Sequence, residues 1–166
     1  MAEFITVGPF SFQPLGWPQQ RIYTRLLAED FCNRHPDVLD GAGCYVFALK
    51  ASQGYKPWYI GKTDTSFRSE AFTNDKLQKY NEAVSNGQRG TGLLFFLVAP
   101  GRAGQQRHRR ISELERYLIQ DAAKKNPDLV NVHGANAPDW GIRGILRSRR
   151  GSANAASGTL KKVMSW

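Results

Sequence analysis

Apolar positions along the chain fall into runs of two different periods. The segment Cys44-Tyr45-Val46-Phe47-Ala48-Leu49 is apolar at every position, which an extended chain tolerates when both faces are covered, so an interior strand is expected. Residues 52–57 supply turn formers, and Trp58-Tyr59-Ile60-Gly61 reads as the second strand of a hairpin ending in a tight turn. Leu77, Tyr80 and Val84 then recur at helical spacing, with Asn74 or Asp75 available as a cap and Gly87 as a stop. The run Leu93-Leu94-Phe95-Phe96-Leu97-Val98-Ala99 has the length of a buried strand and is too short to cross a bilayer. A loop with Gly101, Gly104 and Arg107-His108-Arg109-Arg110 leads to a helix expected over 112–125, which Asn126-Pro127-Asp128 stops. Residues 140–147 suggest one more short strand, weakened by Gly141 and Gly144.

The flanks carry less pattern. Residues 4–16 are rich in Phe, Gly and Pro and read as an extended arm. Pro18 suits a first helical turn, and Ile22, Leu26, Leu27 and Phe31 extend a helix over 18–34. Pro36, Asp37, Asp40, Gly41 and Gly43 punctuate a loop, and 150–159 reads as a flexible linker. There is no internal repeat. The expected division is an N-terminal arm and helix over 1–40, a central domain over 41–147, and a flexible basic tail over 148–166.

Composition narrows the class. A chain of 166 residues with 41% hydrophobic content suits one globular domain. Met1-Ala2-Glu3-Phe4 lacks a basic segment followed by an apolar one, so a cytoplasmic protein without a membrane partner is expected. Cys32 and Cys44 form no CxxC pair and read as reduced thiols. Charge is more telling. The net +9 is concentrated beyond residue 100, where thirteen basic and five acidic groups leave +8. A one-sided excess of this kind suits a polyanion, most often nucleic acid, and a basic protein without such a partner is the plainer alternative.

One carboxylate stands out. At 100° per residue Ile111, Leu114, Leu118, Ile119 and Ala122 share a stripe, Glu115 falls inside it, and Glu113 falls on the opposite, solvent side. A carboxylate facing a core needs a cation, a donor or a cavity beside it. The plainer account is a capping box at Ser112–Glu115, although Arg116 follows where a hydrophobic staple would need an apolar residue. Tyr45, Tyr59, Lys62 and Arg68 taken singly have equally plain accounts as core aromatics and solvated cations.

Their order is more specific. Gly43-Cys44-Tyr45, then Tyr59-Ile60-Gly61-Lys62-Thr63, Arg68, Glu115 and Asn131 together resemble the GIY-YIG endonuclease family over about residues 41–133. The resemblance implies an α/β (α+β) fold, a three-stranded antiparallel sheet flanked by helices, and the strand–strand–helix–strand–helix order read above agrees with it. It implies a metal-dependent endonuclease that hydrolyses phosphodiester bonds in DNA, with Mg2+ (or Mn2+) held by Glu115 alone and otherwise by water. Tyr45 would take the proton from the attacking water, Lys62 would lower that phenol's pKa, and Tyr59 would hydrogen-bond in the same cluster. Arg68 would bind the scissile phosphate, and Asn131 would hold the cleft.

The chain departs from the family at Phe72, where an R-x-x-x-H histidine is usual. Lys76 is a candidate substitute for phosphate contact; His108 and His133 read as surface histidines. Arg107, Arg109 and Arg110 precede a helix, where a phosphate would be favoured by dipole and cations together. With Arg143, Arg147, Arg149 and Arg150 they form a candidate track along the DNA backbone, which positions without reading sequence. Specificity would then come from a partner protein or be low. The alternatives are a catalytically weak or inactive nucleic-acid-binding module on the same fold and a basic RNA-binding protein.

Overall fold

The computed structural model describes residues 2–16, 22–52, 54–85, 90–126, 129, 140–145 and 153–166. Its elements are β1 (Ala2–Ser11), α1 (Arg25–Arg34), α2 (Pro36–Leu39), β2 (Gly43–Ala51), β3 (Gly54–Thr63), α3 (Phe67–Glu70), α4 (Asn74–Ser85), β4 (Thr91–Val98), α5 (Gln105–Lys125), β5 (Trp140–Ile142) and α6 (Ala155–Met164). The all-apolar run at 44–49 does become an interior strand: β2 pairs antiparallel with β3 on one side and β4 on the other.

Among the described residues the sheet has five strands, in the order β3-β2-β4-β1-β5, where three were expected. The residues read as an arm form β1, antiparallel to β4, and β5 adds parallel to β1 through Ala2↔Trp140 and Phe4↔Ile142. Gly8 and Pro9 interrupt the alternation of this segment, which hides the strand in the sequence. The β1–β4 register shifts between Val7 and Phe10, and each side of that break pairs.

Two apolar layers sandwich the sheet. Phe4, Cys44, Val46, Ile60, Phe95 and Leu97 meet Ile111, Leu114 and Leu118 of α5 and Leu160 and Val163 of α6. On the other face Tyr45, Phe47, Tyr59, Leu94 and Phe96 meet Phe31 of α1, Phe67 of α3, and Leu77 and Tyr80 of α4. The result is a mixed α/β protein with helices on both faces. Alternation along β2 therefore decides which layer each side chain enters.

Helix boundaries moved where caps override periodicity. α1 begins at Arg25 and not near residue 18: the Thr24 side chain accepts from the Leu27 amide, and Ile22 pairs with Leu15 in an isolated bridge. Pro18 lies outside the described residues. A short helix, α2, stands where a loop was expected. At α4 neither Asn74 nor Asp75 caps; the Thr73 hydroxyl accepts from the Lys76 amide at 3.4 Å, and Gly87 is outside the described residues. α5 starts at Gln105, so Arg107, His108, Arg109 and Arg110 ride on its first turns and Ser112 is interior. The capping box is thereby replaced by continuous helix. α6 occupies much of the expected linker: Asn154 accepts from the Ser157 amide at 2.7 Å, and Ala156, Ser157, Leu160, Val163 and Met164 are buried. Among the described residues no helix is long and apolar enough to cross a membrane.

Candidate functional site

β3 is an outer strand of the sheet, and the motif residues lie along it. It does not turn at Gly61 but runs on to Thr63, pairing Tyr45↔Gly61 and Cys44↔Lys62. Tyr45 therefore lays its ring and hydroxyl over Gly61, where a Cβ would collide with both. Glycine at this position leaves the space that the phenol fills.

Alternation sends the next side chain the other way. Lys62 enters the α5 layer, where its Nζ stands 3.0 Å from Glu115 Oε2 and donates to Ser112 Oγ at 3.0 Å. The Lys62 and Glu115 side chains keep 34% and 19% of their exposure, so the pair is half-open to solvent and can be reached. Cys44 points the same way, its thiol donating to the Ile111 carbonyl at 3.4 Å. Glu115 thus sits in the apolar stripe as its spacing requires, and the cation beside it is Lys62. Glu113 differs from its expected solvent position. It is as covered as Glu115, with 18% of its side chain exposed, and pairs with Arg109 at 2.8 Å.

The phenols occupy the opposite layer. Tyr45 and Tyr59 have ring centroids 6.1 Å apart, and Tyr45 meets Phe67 edge-on at 6.4 Å. Burial pushes the Tyr45 phenol far above the ordinary tyrosine range, helped by Tyr80, Tyr59 and Glu70. Its hydroxyl makes no hydrogen bond of ordinary geometry among the described residues. This corrects the expectation that Lys62 lowers the Tyr45 pKa: Lys62 emerges on the far side of the strand, and desolvation acts unopposed. Tyr59 is raised by burial too, against the pull of Lys76, whose Nζ lies 5.8 Å from the Tyr59 ring centroid. Lys76 is itself held by Asp75 at 2.9 Å and Glu70 at 3.5 Å. Desolvation works against its charge, but the bond to Asp75 and the Tyr59 phenol outweigh it and raise its pKa.

Arg68, on α3, shares the phenols' side of the sheet and contacts Asp40 at 3.4 Å. With Arg25, Glu29, Cys32 and Phe72 it lines a cavity of about 470 Å³. Phe72, at the position of the family's usual histidine, is a core residue packed on Phe12 and Phe31. The structure therefore brings Lys62 and Glu115 together, and Tyr45 and Tyr59 together, on opposite faces of β3. Arg68 stands with the second group. Asn131, Arg147, Arg149, Arg150 and His133 lie outside the described residues.

The basic helix start is engaged by the protein itself. Arg107 donates to the Asp64 carbonyl at 2.9 Å, and His108 Nδ1 lies 2.6 Å from Asp64 Oδ2. Arg143 reaches Glu3 at 3.5 Å while remaining half-exposed. Asp64 is delivered by a turn built from hydroxyls: Thr63 Oγ1 donates to the Ser66 carbonyl and accepts from the Thr65 amide, and Ser66 caps α3. Sequence reasoning missed Asp64 and Ser112. Ser112 was within reach, because 108, 112 and 115 share one strip of a helix. Asp64 had no local signal, since only the turn carries it to α5.

Among the described residues no group of three or more His, Cys, Asp or Glu converges to hold a metal. What remains is one hard carboxylate, half-open to solvent, with Lys62 on one of its two oxygens. That donor chemistry fits a Mg2+ or Mn2+ ion that keeps most of its waters, and not a softer metal. No protein-family model, curated protein or solved structure matches the chain.

Proposed function

We propose that this protein hydrolyses phosphodiester bonds in DNA, as a metal-dependent endonuclease whose Lys62–Glu115 pair lies between β3 and α5, a site that leaves out the Tyr45, Tyr59 and Arg68 of the GIY-YIG resemblance. One observation carries the reading. The Tyr-Ile-Gly-Lys segment and the helix carboxylate, 53 positions apart from Lys62 to Glu115, meet at 3.0 Å in a half-open position. A cation and an anion held together beside a basic helix start suit charge reorganisation at a phosphate. The Lys62 ammonium would stabilise the equatorial or leaving oxygens, and Ser112 fixes its direction. Glu115 would hold a hydrated Mg2+ (or Mn2+), which when bound supplies Lewis-acid stabilisation of the leaving oxygen. Tyr45, buried and protonated, fits a positioning role over Gly61 better than that of a base. Arg107 and Arg110 on α5, and Arg143 by the opposite edge of the sheet, would neutralise backbone phosphates, leaving sequence selection to a partner protein or absent.

A second reading has its own observation. Tyr45 is sealed and Arg68 faces a separate cavity, which suits a nucleic-acid-binding module that does not turn over. Plasmid nicking with Mg2+ or Mn2+, beside an affinity measurement on the same DNA, separates the two. Wild type should nick, and Glu115→Gln should nick orders of magnitude more slowly with affinity within about threefold, because the lost contact acts on the transition state. A folded wild type that binds but never nicks supports the binding module. Equal nicking by Glu115→Gln removes the Lys62–Glu115 pair from the site.

A further inference from the structure

Beside the Lys62–Glu115 pair, the start of α5 holds one more pair whose geometry suits proton transfer. His108 Nδ1 and Asp64 Oδ2 are 2.6 Å apart, a close hydrogen-bonding contact between an imidazole and a carboxylate. A carboxylate accepting from Nδ1–H fixes the imidazole tautomer and leaves Nε2 as the lone-pair nitrogen. Nε2 makes no hydrogen bond among the described residues, and 60% of the His108 side chain is exposed. The dyad is braced on both sides. Arg107 holds the Asp64 carbonyl, while the Asp64 turn is closed by Thr63, Thr65 and Ser66. An exposed histidine in an ordinary surface contact needs no such bracing.

Its placement along α5 gives the dyad a task. His108, Ser112 and Glu115 lie on one strip of the helix, and Lys62 touches the second and third of them. From position 108 to positions 112–115 the helix rises roughly 6–10 Å. A base, an attacking water, a phosphorus and a leaving oxygen with its cation, set in line, span roughly 10 Å. The strip thus carries a proton acceptor at one end and positive charge at the other, separated along the helix axis by about the length of one phosphodiester set in line. The charged groups facing His108 are Asp64 from the β3–α3 turn and Arg107 on its own helix, with Lys62 and Glu115 further along.

We propose that His108, oriented by Asp64, is the general base that activates water for attack on a DNA phosphodiester bound between it and Lys62. This inference rests on the phosphodiesterase reading and supplies the base that Tyr45, buried over Gly61, and Phe72, packed in the core, do not. In the step, Nε2 takes one proton from water as the water oxygen forms a bond to phosphorus. The bond from phosphorus to the leaving oxygen breaks with its electron pair on that oxygen, which is reprotonated from solvent. The products are a phosphomonoester and a hydroxyl. His108 is the catalytic residue of the pair, and Asp64 is a positioning residue.

The test compares single-turnover nicking by wild type, Glu115→Gln, His108→Ala and His108→Gln on one plasmid, with and without added imidazole. His108→Ala should fall about 10²–10⁴-fold, the usual contribution of a general base, and recover in part with imidazole. His108→Gln keeps a hydrogen-bonding side chain beside Asp64 but no proton acceptor, and should fall equally. Its wild-type rate would mean that His108 only holds Asp64. Asp64→Asn should lower the rate without changing DNA affinity, and nitrogen NMR should show His108 leaving the Nδ1–H tautomer. Wild-type nicking by His108→Ala, with Glu115→Gln inactive, overturns the base while leaving the phosphodiesterase reading intact. A wild type that binds DNA and cannot nick it overturns both.

Discussion

Gly61 shows how one residue serves the strand and the site at once. In β3 it is an ordinary extended position, yet the Tyr45 ring lies where its side chain would be. Both neighbours are fixed: Tyr45 is fully buried, and the strand is held by β2. Gly61→Ala should therefore cost about 1–3 kcal/mol through overpacking. The cost should shrink in a Tyr45→Leu background, which removes the ring edge and the hydroxyl that a Cβ would meet. Denaturant melts of the four proteins measure this coupling, and strictly additive effects would mean that Tyr45 does not bear on Gly61. At Glu115 the alternation of β3 explains why the acid finds Lys62 and not a phenol. The identity of that partner was open while only the helix spacing of α5 was in view.

Elements show where periodicity and packing part company. The α6 segment, Ala-Ala-Ser-Gly-Thr-Leu, carries few large apolar groups and resembles a linker. Its cap at Asn154 and its buried Leu160, Val163 and Met164 make it part of the α5 layer. The Trp166 indole also donates to Asp121 of α5. Leu160→Ala should cost about 2–5 kcal/mol, as for other buried leucines, whereas a solvated tail would lose nothing measurable in the same urea melt. α5 is longer at its start than the apolar stripe indicated, because polar residues 105–110 extend a helix that the stripe further on already anchors. That extension carries His108 and Arg107 to Asp64.

At the scale of the whole molecule, one layer is a tyrosine-rich core whose protonation is linked to folding. Burial raises the phenols of Tyr45, Tyr59 and Tyr80 above the ordinary range; Tyr80 donates to the Ala71 carbonyl at 2.7 Å. An unfolded tyrosine ionises near pH ~10. Because the folded values are raised, the stability these groups contribute is complete below about pH 10 and is lost as pH rises beyond it. With all three protonated in the fold, the slope reaches up to about 4 kcal/mol per pH unit. Urea melts from pH 8 to 12 should show that decline, and Tyr80→Phe should flatten it by about a third. A stability unchanged above pH 10 would mean that these phenols ionise within the fold.

The order of strands and helices in the centre of the chain was legible because β2, β4, α4 and α5 each carry an apolar run or stripe that sets its own period. So was the lone carboxylate at 115, from helix spacing alone. The sheet's outer membership was legible only in part: the short strand suggested over 140–147 stands as β5 at Trp140–Ile142, whereas β1 is interrupted and gains its hydrogen bonds only from strands distant in sequence. The division of the candidate residues into two groups was not legible. Strand alternation fixes that Tyr45 and Lys62 diverge, but only once pairing opposes Tyr45 to Gly61 and packing sets α5 on one side of β3. The Asp64–His108 pair was decided wholly by tertiary structure, since a hydroxyl-braced turn and a helix start, 44 residues apart, meet only after the layers close.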